Sequence, residues 1–181
     1  EPLHPYWVEE PVPPEQLERM ADVFRDAPIR AAVGERFYTR SACAEFLKRH
    51  RVDVIQPDLG HSGGLLEGMR IASVADAFGA SIAPHTGNSP VITAASVHLA
   101  ACAPNGLIQE TFEDYDHPTM RSELFDGFPT LRRGELPVPE RAGLGIDFDE
   151  SACRRYPPQP HRKRAVLVDD EWPRICWAEE R

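Results

Sequence analysis

Five titratable side chains in this chain each follow a short apolar run: Glu9, Glu35, Asp58, His85 and Glu110. The intervals between them are 23 to 27 residues, about the length of one strand plus one helix. Carboxylates hold hard cations, and carboxyl and imidazole groups transfer protons near neutral pH. If the fold brings these side chains together, they could form a metal-assisted proton-transfer site.

The carboxylates of Glu9 and Glu35 are candidate ligands of a metal ion. Taken alone, either residue is most often a solvated loop carboxylate. At one opening, two carboxylates without a counter-charge would repel each other, and a divalent cation removes that cost. Mg²⁺ prefers oxygen ligands and keeps water or accepts substrate oxygens, so two or three carboxylates are enough. We therefore interpret the two residues as a part of a Mg²⁺ site.

His85 and Asp58 are a candidate catalytic pair. In isolation His85 has the pattern of an ordinary loop histidine. Asp58 is predicted to end the neighbouring strand, where a carboxylate could hold one ring nitrogen and turn the other towards a substrate. Glu110, after the next strand, would lie across the mouth as a hydrogen-bonding or acid group, with a surface position at a helix entry as an equal alternative. His61 is assigned no role.

The distribution of apolar residues predicts the elements that must position these side chains. Strands are predicted at residues 5–11, 30–34, 52–56, 81–84 and 106–109. Helices are predicted at residues 17–26, 40–49 and 90–102, and from the glycine pair at 63–64 to Gly79. Apolar strands that alternate with amphipathic helices indicate a parallel sheet that is buried on both faces.

The fold class is therefore α/β. A doubly wound sheet and a barrel both fit this alternation. In a barrel all strand ends open into one mouth, whereas in an open sheet only those near the switch point line a site. Five consecutive strands that each end in a titratable group favour the barrel, of which the chain would hold about five strand–helix units.

The rhythm of strand and helix stops after Glu110. Residues 125–138 predict a small irregular β-hairpin, and residues 143–151 predict a turn followed by a last short helix. Residues 157–164 are rich in proline and basic residues and predict a surface strap or disordered tail. We expect a partial barrel at 1–114, a closing hairpin and helix at 115–156, and a polar tail at 157–181.

Composition limits the classes of partner. The net charge of −9 and the pI near 5.2 argue against nucleic acid or an anionic membrane surface as the main partner. No apolar run approaches the roughly 20 residues that cross a bilayer. The four scattered cysteines predict reduced thiols and a cytoplasmic protein. The chain begins at Glu1 and enters a strand almost at once, so we expect further sequence upstream.

As an ordered set, these motifs resemble the enolase superfamily, in its mandelate racemase-like branch, and most closely its acid-sugar dehydratases of the galactonate and mannonate type. The resemblance spans about residues 5–155. It rests on WVEEP at 7–11, GER at 34–36, IQPDL at 55–59 with GG at 63–64, PH at 84–85, QE at 109–110 and GLGI at 143–146.

The resemblance implies the C-terminal part of a modified TIM barrel, from its fourth to its eighth strand. It implies that Glu9 and Glu35 are the second and third Mg²⁺ ligands, that Asp58 and His85 form a catalytic dyad, and that Glu110 hydrogen-bonds the substrate carboxylate. The first metal ligand, a base on the second strand and the capping domain of the family have no counterpart in this chain. The expected partners are a small sugar acid, the missing N-terminal half and further copies of the protein.

The implied activity is dehydration of a sugar acid through abstraction of its α-proton and an enediolate. A racemase or cycloisomerase of the same superfamily would share that step. The chain could also be an inactive fragment that serves as an interaction module, or a protein that only binds sugar acids. Residues 1–181 alone are expected to be inactive and to associate through exposed strand edges.

Overall fold

Four apolar runs form a parallel sheet. In this computed structural model the strands are β1 (Trp7–Glu9), β2 (Arg30–Val33), β3 (Val54–Ile55) and β4 (Ser81–Ile82). Their order in the sheet is β1-β2-β3-β4, so each strand pairs with the next one in the chain. This order is that of a barrel wall, whereas a doubly wound sheet reverses its strand order at a switch point. The α/β class is confirmed.

The structure describes residues 3–24, 28–87, 89–111, 118–157, 164–167 and 174–177. They belong to two units, residues 1–149 and residues 150–181. The sheet and its helices lie in the first unit.

The predicted fifth strand is reduced to one bridge. Gly106 pairs in parallel with Ile82, and backbone bonds join Ile82 N–H to Asn105 O (2.9 Å) and Leu107 N–H to Ile82 O (2.9 Å). The predicted strand at 106–109 is therefore at the right edge of the sheet, but it is not regular beyond this bridge. After it, side-chain hydrogen bonds hold the chain.

Helices follow the strands as predicted, with two corrections. They are α1 (Met20–Phe24), α2 (Arg40–Leu47), α3 (Leu59–Ser62), α4 (Leu65–Ala77) and α5 (Pro90–Cys102). The helix predicted from residue 17 instead begins with 3₁₀ turns over Pro14–Arg19, which are interrupted at Gln16. The sequence pattern predicts a single helix from the glycine pair onward, whereas the structure has the short α3 before these glycines.

The ends of the main helices have clear local causes. The hydroxyl of Thr39 accepts from the N–H of Ala42 at the start of α2, and that of Ser89 accepts from the N–H of Val91 at the start of α5. After α4, Gly79 adopts φ +77° in the left-handed region, which stops the helix as predicted.

The sheet is buried on both faces. On the helix side, Val33, Ile55 and Ile82 pack in the main core with residues of α2, α4 and α5. On the opposite side, Ala32, Val54 and Ala83 form a smaller cluster against Trp7. Alternate residues of a strand point to opposite faces, so these two sets are the outer and inner layers that a barrel wall requires.

The C-terminal part of the first unit corrects the predicted hairpin. Helix α6 (Pro118–Leu124) leads into β5 (Phe125–Asp126), which pairs antiparallel with β6 (Asp147–Phe148). The predicted hairpin at 125–138 is therefore wrong in its pairing. Within it only Arg132 and Glu135 form a bridge. The partner of Phe125 is instead Phe148, and the centroids of the two rings lie 5.2 Å apart. This cross-strand aromatic contact stabilises a pairing between distant residues that local turn signals do not indicate.

The second unit contains a 3₁₀ turn at Ala152–Arg155, where a short helix was predicted, and two strands. Strands β7 (Arg164–Leu167) and β8 (Arg174–Trp177) pair antiparallel with each other inside the segment predicted to be a polar tail. The tail prediction for residues 158–163 lies outside the described residues. The proposed domain boundaries stay a prediction. Among the helices in the described ranges, none is long and apolar enough to cross a membrane.

The cysteines provide a test of the core. Cys43 is fully buried in α2, and burial raises the pKa of its thiol to about 12. Since only the thiolate reacts, on the order of 10⁻⁴ of Cys43 would be reactive at pH 8. We expect iodoacetamide to label the exposed Cys102 of the native protein and to spare Cys43 until denaturant is added. Equal native labelling of the two, read by peptide mass mapping, would show that α2 is wrongly packed.

Candidate active site

All five titratable side chains singled out from the sequence lie at or beyond the carboxyl ends of consecutive parallel strands or, for Glu110, beyond the bridge that follows them. Glu9 is the last residue of β1, Glu35 comes two residues after β2, and Asp58 and His85 each come three residues after β3 and β4. Glu110 follows the bridge at Gly106. Because the strands are parallel, these ends share one edge of the sheet.

Asp58 and His85 form a direct pair. The Nδ1–H of His85 donates to Asp58 Oδ2 at 2.7 Å. Asp58 is completely buried, and its other oxygen, Oδ1, accepts from the N–H groups of Gly60 (2.7 Å) and His61 (3.0 Å). Asp58 is thus the N-cap of α3 and the partner of His85 at once. The helix start fixes the carboxylate, and the carboxylate fixes the ring.

The second nitrogen of His85 points to the acidic side of the mouth. Nε2 lies 3.3 Å from Glu35 Oε2. Burial opposes the charged form of the ring. The hydrogen bond to Asp58 and the charges of Glu110, Glu35 and Asp58 outweigh it, so the pKa of His85 lies above its ordinary value. The neutral ring is therefore a stronger base than an ordinary imidazole, and its charged form holds the proton more firmly.

Glu9 is held by a buried amide from a strand that is not its neighbour. Gln56 is 3% exposed, and its Nε2 donates to Glu9 Oε2 at 2.7 Å. The next residue, Glu10, has a different set of partners. It accepts from Gly34 N–H at 3.3 Å and from Arg36 Nε at 3.2 Å, which fastens the end of β1 to the loop after β2. The two adjacent acids thus have different partners: Glu9 bonds the amide of Gln56, and Glu10 bonds the loop after β2.

Glu110 is fixed by the backbone after β4. Thr86 donates its N–H to Glu110 Oε2 at 2.8 Å and its hydroxyl to Glu110 O at 2.6 Å. Burial raises the pKa of the Glu110 carboxyl, against the hydrogen bond from Thr86 and the charge of His85, and the charges of Glu9 and Glu35 raise it further. Glu9 and Glu35 are therefore close enough to Glu110 for their charges to act on its carboxyl group.

The structure therefore brings all five predicted side chains to one mouth, whereas their roles stay predictions. Sequence reasoning missed three groups that position them: Gln56, Thr86 and His61. The ring Nδ1–H of His61, which was assigned no role, donates to Glu35 O at 3.1 Å. Polar residues beside each strand end were the available signal, since buried polar groups at such points need partners.

The donor set fits a hard cation that keeps water ligands. Glu9 and Glu35 provide two carboxylates at the ends of adjacent strands, and the charges of both act on the carboxyl of Glu110. In the described ranges, no group of three or more His, Cys, Asp or Glu side chains is arranged to hold a metal ion. Mg²⁺ is commonly bound by one or two carboxylates with water and substrate oxygens, so two are sufficient for part of its shell.

Comparisons with known proteins assign most of the chain to one family. Residues 1–152 match the family model described as "Enolase C-terminal domain-like". The D-gluconate/D-galactonate dehydratase of Picrophilus torridus is 34% identical over 153 residues, which cover 84% of this chain and 39% of that protein. The D-xylonate dehydratase of Haloferax volcanii is 34% identical over 151 residues, or 83% of this chain and 36% of that protein.

A solved structure agrees with the fold. The mandelate racemase/muconate lactonizing enzyme from Jannaschia sp. CCS1 superposes with a TM-score of 0.79 at 35% identity, over 87% of this chain and 40% of that chain. The chain spans about 40% of the length of the relatives that it matches.

Proposed function

This chain belongs to the enolase C-terminal domain-like family, and we propose that it is the C-terminal part of the barrel of a Mg²⁺-dependent dehydratase that acts on a sugar acid. The observation that supports this most is the pair formed by the buried Asp58 and His85, in which the second ring nitrogen, Nε2, lies 3.3 Å from Glu35 Oε2. A positioned base beside carboxylates suits removal of a proton next to a substrate carboxylate. The named dehydratases among its relatives support the choice of reaction.

Glu9 and Glu35 would hold the cation. When bound, Mg²⁺ would neutralise the negative charge that builds on the substrate carboxylate as the α-proton leaves. Glu35 has two neighbours that a bound cation would have to displace or share, the ring of His85, whose Nε2 lies 3.3 Å from Glu35 Oε2, and the guanidinium of Arg36. Arg36 lies 3.4 Å from Glu35 Oε1, but it is half exposed and also bonds Glu10.

His85 would move the proton. In its neutral form, Nε2 would take the α-proton, while Asp58 holds Nδ1–H and stabilises the positive ring that results. The charged ring would then return a proton to the β-hydroxyl, which leaves as water. Ketonisation of the enol gives a 2-keto-3-deoxy acid. If another group supplied the base on the opposite face, His85 would serve as the acid alone.

Glu110 would bind the substrate carboxylate. Burial raises the pKa of the Glu110 carboxyl, which favours its protonated form, and a protonated carboxyl can donate a hydrogen bond to an anion. Its other oxygen is held by Thr86 N–H, which prevents the group from turning away. The chain would thus supply a fixed carboxyl group for contact with the carboxylate of the substrate.

We propose that the rest of the site comes from sequence outside this chain, and that the protein associates with further copies of itself. The resemblance to the superfamily implies a third acidic ligand, a base on the second face and a capping domain that excludes water. A racemase is the second candidate, since a structure called a mandelate racemase/muconate lactonizing enzyme matches the fold at 35% identity. It would exchange the α-proton without loss of water.

An activity panel tests the proposal. The full-length protein that contains this chain, supplied with Mg²⁺, is expected to convert at least one of galactonate, gluconate and xylonate to its 2-keto-3-deoxy acid. Residues 1–181 alone are expected to show no turnover, because the third acidic ligand and the capping domain that the resemblance implies would lie outside them. Absence of product from the folded full-length protein with every acid in a wide panel would contradict the dehydratase assignment.

A further inference from the structure

We propose that Gln56 is a positioning residue that fixes the carboxylate of Glu9 for cation binding, an inference that rests on the proposed function. The bond between Gln56 Nε2 and Glu9 Oε2 joins β3 to β1, which are not neighbours in the sheet. Strands two places apart lie about 9.5 Å from each other, so only two long side chains that meet over the end of β2 can span the gap.

The end of β2 is shaped to allow this contact. Gly34 adopts φ +140°, and a Cβ at this position would lie 2.8 Å from the backbone nitrogen of Gln56. That nitrogen donates to Val33 O at 2.9 Å, which fixes the backbone of Gln56 against β2. A side chain at residue 34 would push the two strand ends apart. The glycine thus lets Gln56 sit close enough to reach across.

An amide is suited to this task because it is a neutral donor. Gln56 occupies one oxygen of Glu9 and leaves its negative charge intact. A lysine or arginine in the same place would form an ion pair with Glu9 and compete with a cation. The nearby cation, Arg36, is bonded to Glu10 and lies against Glu35. Gln56 is also 3% exposed, so its side chain has little freedom and can hold Glu9 in one orientation.

The alternative is that Glu9 only satisfies a buried amide, with no effect on ion binding. Gln56→Met separates the two, because methionine keeps the length of the side chain and removes the donor. Residues that orient metal ligands typically change metal affinity by about 10- to 100-fold when they are replaced. We therefore expect the Kd for Mg²⁺ to rise about 10-fold or more in the full-length Gln56→Met protein, measured by calorimetry well below its Tm.

The matched control is Asn105→Leu. Asn105 is an amide away from the mouth that donates to Ala72 O (3.1 Å) and Ala80 O (2.9 Å). Its replacement is expected to lower Tm and to leave the Kd for Mg²⁺ unchanged. A second variant, Gln56→Asn, keeps the amide on a side chain one carbon too short to reach Glu9. It should weaken Mg²⁺ binding in the same direction even if Gln56→Met folds poorly.

Kinetics supply an independent readout. In the Gln56 variants the KM for Mg²⁺ should rise, while kcat at saturating Mg²⁺ stays within about threefold of wild type, because the proposed role of Gln56 is to orient Glu9 and not to transfer a proton. If the wild-type protein binds Mg²⁺ and both Gln56 variants bind it with the same affinity, this inference is overturned and the proposed function is not. A wild-type protein that binds no Mg²⁺ would overturn the proposed function and the inference with it.

Discussion

Replacing His85 with asparagine in the full-length protein is expected to lower kcat for sugar-acid dehydration by about 10²- to 10⁴-fold, the range that general acid–base catalysis contributes. The structure gives His85 the only imidazole among the five strand-end side chains, bonded through Nδ1 to Asp58 at 2.7 Å. Asparagine places an amide N–H near the same point, so the buried Asp58 keeps a partner. It cannot accept and return a proton.

The same substitution should change the Kd for Mg²⁺ by less than about threefold, because His85 is expected to transfer protons and not to bind the ion. His98→Asn is the matched control. His98 Nε2 donates to Leu144 O at 3.2 Å, away from the strand ends, and its replacement should leave kcat unchanged. If His85→Asn kept most of its kcat with normal Mg²⁺ binding, the proton-transfer role would belong to another residue.

The location of the site could be predicted because it follows from strand periodicity. Each apolar run ends in a polar residue, and in a parallel sheet such ends meet at one edge. Glu9, Glu35 and Asp58 were found in this way, and each lies at or just beyond the end of its strand. The sequential order β1-β2-β3-β4 also agrees with the barrel. That prediction rested on the regular interval between the strand-end side chains.

What could not be predicted depends on contacts between distant residues. The pairing of Phe125 with Phe148 skips a nearer turn at 132–135, and no local pattern indicates which partner a short strand will choose. The fifth strand is replaced after Gly106 by side-chain bonds. Thr86 and Gln109 hold that segment through the backbone and carboxylate of Glu110 and the carbonyl of Pro84.

The segment after β3 is the main example of contacts that hydrophobic periodicity alone does not predict. Its residues Gln56, Asp58 and His61 each bond a group that follows another strand. Hydrophobic periodicity identifies where this segment lies, but not the direction of its side chains. Only the short α3, with Asp58 as its N-cap, determines that Asp58 faces His85 while the ring of His61 reaches Glu35 O.

The measurement that tests the central claim most directly is exchange of the substrate α-proton with solvent deuterium. Incubated in D₂O with Mg²⁺ and an aldonic acid that it accepts, the full-length protein is expected to remove the α-proton and to release a 2-keto-3-deoxy acid with deuterium at C3, as followed by ¹H NMR. His85→Asn should slow this by at least about 100-fold, and His98→Asn should not. If sugar acids bind to the folded protein with Mg²⁺ but neither α-proton exchange nor product is seen, the chain does not carry out proton-abstraction chemistry, and the account is contradicted.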